Sequence, residues 1–248
     1  MSHSVPEYHA DAPNDGGYTS TVLGMNPYRY FPLNEAAGIG MEEMRGSSGN
    51  GYSGTVVYQV ENAVRGDSSK GVTFDGSASY GSLTAMGNLG QNLGSGVSVS
   101  FFYSSSDATP GDMLGTRAPS SMSFRILINV GSVSGIVKIF LRDNVGSVVF
   151  GHHTDATIND GKRHHVFVSV SPGANAIVYR LDGVNKTITY EDQETPSSFA
   201  NFSNTMLVGA ANLDGTVGRW MNSTYGHLAF WNRILSVNEA SELYNGAA

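Results

Sequence analysis

After Asp160-Gly161, Val166, Val168 and Val170 alternate with His165, Phe167 and Ser169. Successive side chains of a strand point to opposite faces, so this period of two sets the valines on one face and their neighbours on the other. A loop at Ser171-Pro172-Gly173-Ala174-Asn175 follows, then the apolar run from Ile177 to Leu181, then Asp182-Gly183 and a last run over residues 184–190. Asp-Gly readily adopts the positive φ angles of a two-residue hairpin turn. Residues 160–190 are therefore predicted to fold as a three-stranded meander.

The same alternation appears over residues 97–103, where Val97, Val99 and Phe101 are separated by Ser98 and Ser100. Further strands are predicted at 72–76, 80–83, 123–130, 135–141, 145–150, 206–210 and 226–231. Turn signals spaced roughly 8 to 12 residues apart suit an all-β sandwich. Near the end of the chain the period changes. Ser236-Val237-Asn238-Glu239 reads as a capping box, with the Ser236 hydroxyl accepting from the Glu239 backbone and the Glu239 carboxylate reaching back to Ser236. Leu235 and Ala240 flank it as a modest hydrophobic staple, and a two-turn helix is predicted over 237–244, stopping at Asn245-Gly246. At the other end, residues 1–17 are polar, carry Pro6, Pro13 and Gly16-Gly17 and show no period, which predicts an extended arm able to dock on a neighbour. From Tyr18 to Glu35 a short turn or helix should lead into a strand.

Composition agrees with a strand-rich chain. Among 248 residues there are 31 glycines, and charged residues make up 14%; average domains hold about 7% glycine and about 25% charged residues. Tight turns are abundant and charged helical faces scarce. One sandwich of this length can bury roughly three quarters of the surface its unfolded chain exposes, so no second domain is required. The net charge of −7, with only 14 Lys and Arg, opposes nucleic-acid binding, because phosphate contacts need clustered cations. With no cysteine there is neither a disulfide nor a thiolate metal site. The first residues have no basic start and no apolar run, so no secretory leader is expected; no window approaches the 18 or so apolar residues of a membrane span. The glycosylation-like triplets at Asn185, Asn201 and Asn222 are then read as chance matches.

Several of these pieces, in this order, resemble laminin-G-like domains of the concanavalin A-type jelly-roll class. The resemblance rests on Asp160-Gly161 with His164-His165-Val166, on Val178-Tyr179 with Asp182-Gly183-Val184, on Val72-Thr73-Phe74-Asp75-Gly76, and on Ser98-Val99-Ser100-Phe101-Phe102. The closing Asn232-Arg233-Ile234-Leu235-Ser236 and its helix are similar too. The opening from Tyr18 through Val22-Leu23, Pro27 and Leu33 to Glu35 is similar to that of modules in phage structural proteins and bacterial surface proteins. The resemblance spans Tyr18 to Tyr244. It implies a two-sheet antiparallel jelly roll over residues 18–248, with the arm at 1–17 in front and a short C-terminal helix behind. Such domains mostly bind; few catalyse.

Glycoside hydrolases on this jelly roll place carboxylates two apart on one strand face, where they can flank a glycosidic bond. Here Glu191-Asp192-Gln193-Glu194 has the wrong spacing and is read as a solvated loop after a hairpin strand. Neither G-x-S-x-G nor H-E-x-x-H occurs. Gly49-Asn50-Gly51-Tyr52-Ser53-Gly54 matches G-x-G-x-x-G by letter, but without the strand before and helix after that a pyrophosphate needs. No catalysis is expected. His152-His153 and His164-His165 are adjacent pairs whose members face opposite sides of a strand, so neither chelates one ion; His164 or His165 is expected as a hydrogen-bonded side chain within the sheet.

Relatives in this fold class hold Ca²⁺ in rim loops through carboxylates and carbonyls. The donors that correspond here are Asp107 and Asp112 in one Gly/Pro loop and Asn212 and Asp214 in another. No regular spacing marks them, and Gly226-His227 stands where relatives carry an acidic pair, so plain turn chemistry is the expectation and calcium the exception. For a saccharide, Trp220 and Tyr80 are the candidate ring platforms, with Arg219 and Asn222 as hydrogen-bonding partners. The competing role for Trp220 is to plug one end of the sandwich; Trp231 belongs to the core. The expectation is thus a non-enzymatic virion structural protein of a phage-like virus, as head decoration or as a fibre or tail module. It would be located in the virion, assembled with other virion proteins or with itself, for example as a trimer, and able to meet cell-surface glycans. The alternative is a carbohydrate-binding lectin or adhesin module of a bacterial surface or secreted protein.

Overall fold

The computed structural model describes residues 16–44, 49–61, 70–84, 86–89, 96–117, 123–129, 134–143, 146–153, 157–172, 177–194 and 205–246. Helix α1 (Gly16–Gly24) leads into strands β1 (Arg29–Phe31), β2 (Gly51–Ser53), β3 (Val57–Glu61), β4 (Lys70–Asp75), β5 (Tyr80–Leu83), β6 (Val97–Ser104), β7 (Gly111–Arg117), β8 (Ser123–Ile128) and β9 (Val137–Arg142). Then follow β10 (Val148–His153), β11 (Arg163–Val170), β12 (Ile177–Leu181), β13 (Val184–Lys186), β14 (Ile188–Gln193), β15 (Met206–Val208), β16 (Ala211–Leu213), β17 (Thr216–Gly218), β18 (Asn222–Trp231) and helix α2 (Val237–Asn245). An eight-stranded sheet runs β13-β12-β11-β6-β18-β4-β3, with β1 beside β18. A ten-stranded sheet runs β14-β10-β9-β8-β7-β15-β5-β2, with β16 beside β7 and β17 beside β16. Pairing is antiparallel except between β16 and β7.

The alternation seen in the sequence is what closes the two sheets on each other. Val166, Val168 and Val170 of β11 and Val97, Val99 and Phe101 of β6 turn inward, against Phe124, Ile126 and Ile128 of β8 and Val137, Ile139 and Leu141 of β9. Each fully buried side chain of this kind is worth about 1.5–3 kcal/mol of transfer free energy. The opposite faces of β6 and β11 are buried as well, because α1 and α2 lie across them. Tyr18, Val22, Phe102, Phe167, Trp231, Leu235, Ala240 and Leu243 form this second cluster, and the Trp231 indole Nε1 donates to the Met25 carbonyl at 3.1 Å.

Polar groups caught beneath α1 are paired. The Tyr18 and Ser100 hydroxyls lie 3.2 Å apart, Ser100 Oγ is 2.8 Å from His165 Nε2, and Tyr30 Oη is 2.7 Å from His227 Nδ1. Burial pushes His165 down to about 4 and His227 down to about 3, because a low-dielectric surrounding disfavours the imidazolium.

Three expectations need correcting. The meander holds for β11, β12 and the start of β13, with Asp182 (φ 50°) and Gly183 (φ 76°) forming the turn. The last run then splits. Beyond Lys186 the chain crosses to the other sheet and pairs with β10, since from there Ile188 and Tyr190 pack on the inter-sheet core. The extended arm cannot reach residue 17, because Gly16 and Gly17 already belong to α1; residues 1–15 lie outside the described residues. Strands β2, β3, β7, β16 and β17 were not expected. At the other end the capping box is present as read, with Glu239 N donating to Ser236 Oγ at 3.2 Å and Ser236 N to Glu239 Oε2 at 2.8 Å.

Candidate functional site

The outward face of the ten-stranded sheet carries the site. On β9 the core residues Val137, Ile139 and Leu141 alternate with Lys138, Phe140 and Arg142, which the pleat turns outward. Strand register then lines up Arg125 of β8, Phe140 of β9 and Phe150 of β10 in one row across the sheet. The two phenyl rings meet edge to face, with centroids 6.0 Å apart and planes at 68°, the geometry that opposes a positive ring edge to a negative ring face. Lys138 Nζ sits 5.2 Å from the Phe150 centroid and donates to Glu191 Oε1. His152 Nδ1 lies 2.8 Å from the same oxygen.

At the other end of the row one carboxylate orders two arginines. Arg125 donates from Nε to Asp112 Oδ2 at 2.6 Å and from Nη2 to Oδ1 at 2.8 Å, and Arg219 donates from Nε to Oδ1 at 2.7 Å. Asp112 is completely buried, whereas the Arg219 side chain is 32% exposed. Gly115 makes room for this arrangement: a Cβ there would stand 2.9 Å from Asp112 Oδ2 and 3.2 Å from the Ala211 Cβ. Arg219 itself holds a left-handed backbone, φ 58°, a conformation that costs a non-glycine residue on the order of 1 kcal/mol and persists only where surrounding contacts enforce it. The face therefore offers ring surface and fixed guanidinium donors side by side, a combination suited to the C–H face and oxygens of a saccharide.

The residues singled out in the sequence divide between this face and the rim. Arg219 reaches the face through Asp112. Tyr80 opens β5 opposite Ser53, and since its neighbour Gly81 faces Met41 and Phe74, Tyr80 is on the outward side of the same sheet. Trp220 is half-buried beside Arg219 in the loop before β18, its Nε1 enclosed and without an acceptor among the described residues. Asn222 departs from the group: it begins β18 in the other sheet, opposite Asp75. Its carbonyl accepts from Ser105 Oγ at 2.6 Å, and its N–H helps hold the Asp107 carboxylate, which also accepts from Thr109 N at 2.8 Å.

The calcium donor set does not fit a cation. Asp112 is on strand β7 rather than in a loop, and both its oxygens are taken by guanidiniums. Asn212 spends its amide on Thr205 O at 3.2 Å and its oxygen on Gly215 N at 2.9 Å, and Asp214 occupies a turn position at φ 57°. Among the described residues no three His, Asp or Glu side chains converge. Glu191 and Asp192 belong to edge strand β14, not to a loop, because the crossing at residue 187 carries that run into the ten-stranded sheet. The histidines behave as the strand geometry requires. His165 is buried on Ser100, and His164 is clasped by Asp182 at 2.8 Å and Asp160 at 3.1 Å, whose hydrogen bonds and charge hold its pKa above the ordinary value. His153 stacks on Tyr179, centroids 4.8 Å apart.

Arg125, Lys138, Phe140, Arg142 and Phe150 were missed by sequence reasoning. Their signal was present at residues 137–142, where an aromatic between two cations occupies every polar position of an alternating strand.

No protein-family model matches the sequence, and no curated protein matches it. Solved structures do. The receptor-binding domain of botulinum neurotoxin C/D mosaic serotype is similar over 90% of this chain and 51% of its own, with a TM-score of 0.59 at 12% identity. Domain 4 of AbnA, an extracellular GH43 arabinanase from Geobacillus stearothermophilus solved with arabinotriose, is similar over 88% of this chain and 98% of its own, with a TM-score of 0.57 at 14% identity. Trypanosoma rangeli sialidase in complex with sialic acid is similar over 87% of this chain and 32% of its own, with a TM-score of 0.58 at 12% identity. The chain spans about half the length of the neurotoxin domain. At such identities the likeness is one of fold, and the fold is the two-sheet antiparallel β-sandwich expected from the sequence.

Proposed function

We propose that this protein is a non-enzymatic glycan-binding module whose ligand lies on the outward face of the ten-stranded sheet. The observation that carries the reading is the row Arg125–Phe140–Phe150, anchored at one end by the buried Asp112 with its two arginines. The partly exposed rings give a sugar ring a surface to stack on, and the neighbouring guanidiniums can replace the water on its hydroxyls. Arabinotriose and sialic acid in two of the similar structures support a saccharide as ligand class. A glycan array reads this directly, with Phe140→Ala as the control. Binding that drops at least tenfold in the variant, about 1.4 kcal/mol, supports the proposal; an array at background, or a Phe140→Ala protein that binds as the parent does, removes it.

The setting we propose is the particle of a phage-like virus, in which the module serves as head decoration or as part of a fibre or tail and assembles with copies of itself. What supports it is the opening pattern from Tyr18 to Glu35 and its likeness to phage structural modules. Purified protein incubated with empty capsids or virions should co-sediment with them; protein left in the supernatant would end that setting without touching the glycan proposal.

A further inference from the structure

We infer that α1 is an acid-released latch: protonation of His165 and His227 beneath it detaches residues 16–25 from the eight-stranded sheet while the sandwich stays folded. The device is on the layer opposite the Phe140–Phe150 row and needs nothing from the saccharide reading. α1 is a weak helix on its own account. Its nine residues hold three glycines, Gly16, Gly17 and Gly24, and the β-branched Thr19, Thr21 and Val22, with no acidic residue in the first turn and no basic one in the last. Glycine is the poorest helix former after proline, and so short a helix does not persist alone in water. Among the described residues no strand pairs with this segment, so side chains hold it down. Tyr18 and Val22 are completely buried. The Tyr18 hydroxyl meets Ser100, Thr19 Oγ1 is 2.9 Å from Tyr30 Oη, and the Met25 carbonyl accepts from Trp231 Nε1 and from Arg233 Nη2, each at 3.1 Å. A unit tied by so few contacts belongs to the part of a fold that opens first.

Both histidines lie against the Tyr18 ring, whose centroid is 4.9 Å from that of His227 and 6.4 Å from that of His165. Phe102 of β6 adjoins both. His165 also faces Ser100 of β6, Tyr244 of α2 and, from β12 and its turn, the Arg180 guanidinium and the Asp182 carboxylate, which act on its charge in opposite senses. His227 also faces Tyr30 of β1. Its placement is enforced: the register with β6 shifts between Gly226 and Ala229, and His227 holds a left-handed backbone, φ 51°. A bulge of this kind re-aims a side chain, here toward α1. A second proton gives an imidazole two charged N–H groups. On His165 the enclosed Nδ1–H then has no acceptor among the described residues. While α1 is in place the proton is held off, with His165 at about 4 and His227 at about 3; once α1 lifts, the rings meet water and titrate near the ordinary value of about 6.5. Each histidine thereby multiplies the open-to-closed ratio by about 20 between pH 7 and pH 5. The sign is that of a base whose pKa is depressed in the closed state: the latch holds above that ordinary value and loosens as pH falls below it. His164 is held by Asp182 and Asp160, neither of them on α1, and keeps those partners in both states. Opening uncovers the aromatic outer side of the sheet at Phe102, Phe167 and Trp231.

The test is native hydrogen exchange read by mass spectrometry on the full chain at pH 7 and pH 5, each peptide corrected for the pH dependence of intrinsic exchange. NMR follows the ring carbons of His165 and His227 over the same range. The expected result is a protection factor over residues 18–25 that falls at least tenfold from pH 7 to pH 5, while β8 and β9 stay at least a hundredfold better protected than α1 at both values. His165→Gln, which still offers Ser100 a partner but does not titrate, should make that fall at least fivefold smaller. Tyr18→Ala, which removes the roof, should show low protection over 18–25 already at pH 7, with both histidines titrating near their ordinary value. Equal protection of α1 and of β8 and β9 overturns the inference, since the helix would then open only when the whole sandwich does. A fall below tenfold in the parent overturns it, as does a fall in His165→Gln as large as the parent's. Ring carbons of His165 and His227 that titrate at their ordinary value in the parent while α1 remains protected overturn it without any variant.

Discussion

Replacing Asp112 by asparagine tests whether this carboxylate organises the sheet face. The substitution keeps the side-chain volume and removes the charge that three N–H groups share. Asp112 is wholly buried and the Arg125 side chain only 11% exposed, so the variant leaves a poorly solvated guanidinium facing an amide. Removing one partner of a buried ion pair typically costs about 3–5 kcal/mol. The Arg219 contribution is smaller, near 1 kcal/mol, because a third of that side chain sees water and screening. Asp112→Asn should therefore lose about 3 kcal/mol, which in a chain of this size lowers Tm by roughly 6–12 °C. Arg125→Gln should cost nearly as much, and Arg219→Gln only about 1 kcal/mol. Urea unfolding at pH 7 with fluorescence detection measures all three. An Asp112→Asn protein within 1 kcal/mol of the parent, or an Arg219→Gln protein as damaged as Asp112→Asn, would refute the account.

Four further outcomes follow from the same structure. Gly115→Ala, by pressing its Cβ on the Asp112 carboxylate, should cost about 1–3 kcal/mol and add little once Asp112→Asn is present, as a double-mutant cycle would report. Stability should decline as pH falls from 6.5 toward 5: with folded pKa values of about 4 and about 3, His165 and His227 stay neutral in the fold while the unfolded chain takes up protons, at roughly 2 kcal/mol per histidine over that window. His164, whose pKa is raised by Asp182 and Asp160, works in the opposite sense and offsets part of the loss; a flat urea-midpoint profile from pH 7 to 5 in a His164→Gln protein would contradict the reading. Ser236→Ala should remove the cap of α2 and cost about 1 kcal/mol in the same assay. Excess EDTA should leave Tm unchanged within about 1 °C, because the Asp112 oxygens are filled by arginine; a drop reversed by Ca²⁺ would show a metal bound to the native state.

What the sequence disclosed, and what it withheld, follows the range of the forces involved. Strands β6, β9 and β11 are legible because inward residues such as Val97, Ile139 and Val166 recur every second position, and α2 because its capping box is local chemistry. Strand β7 is not. Gly111, Asp112 and Gly115 read as loop residues by propensity, and only the arrival of Arg125 and of Arg219, more than a hundred positions along the chain, makes a buried aspartate tolerable there. The crossing between β13 and β14 is hidden for a similar reason, since Ile188 and Tyr190 continue the alternation without a break and the choice of sheet depends on which core is within reach. For the site, Arg219 and Tyr80 could be picked out as types, whereas the Arg125–Phe140–Phe150 row exists only through the register of three strands.

Helices α1 and α2 give the molecule a polarity. Both pack on the eight-stranded sheet, and a Cβ placed on Gly17 would be 3.9 Å from the Gly246 carbonyl oxygen, so the first and last described turns meet at one spot. That spot is on the layer turned away from Phe140 and Arg125. The junction of Gly17 with Gly246 and the Phe140–Phe150 row thus lie on opposite layers of the sandwich. A partner seated over that junction would leave the Phe140–Phe150 row uncovered.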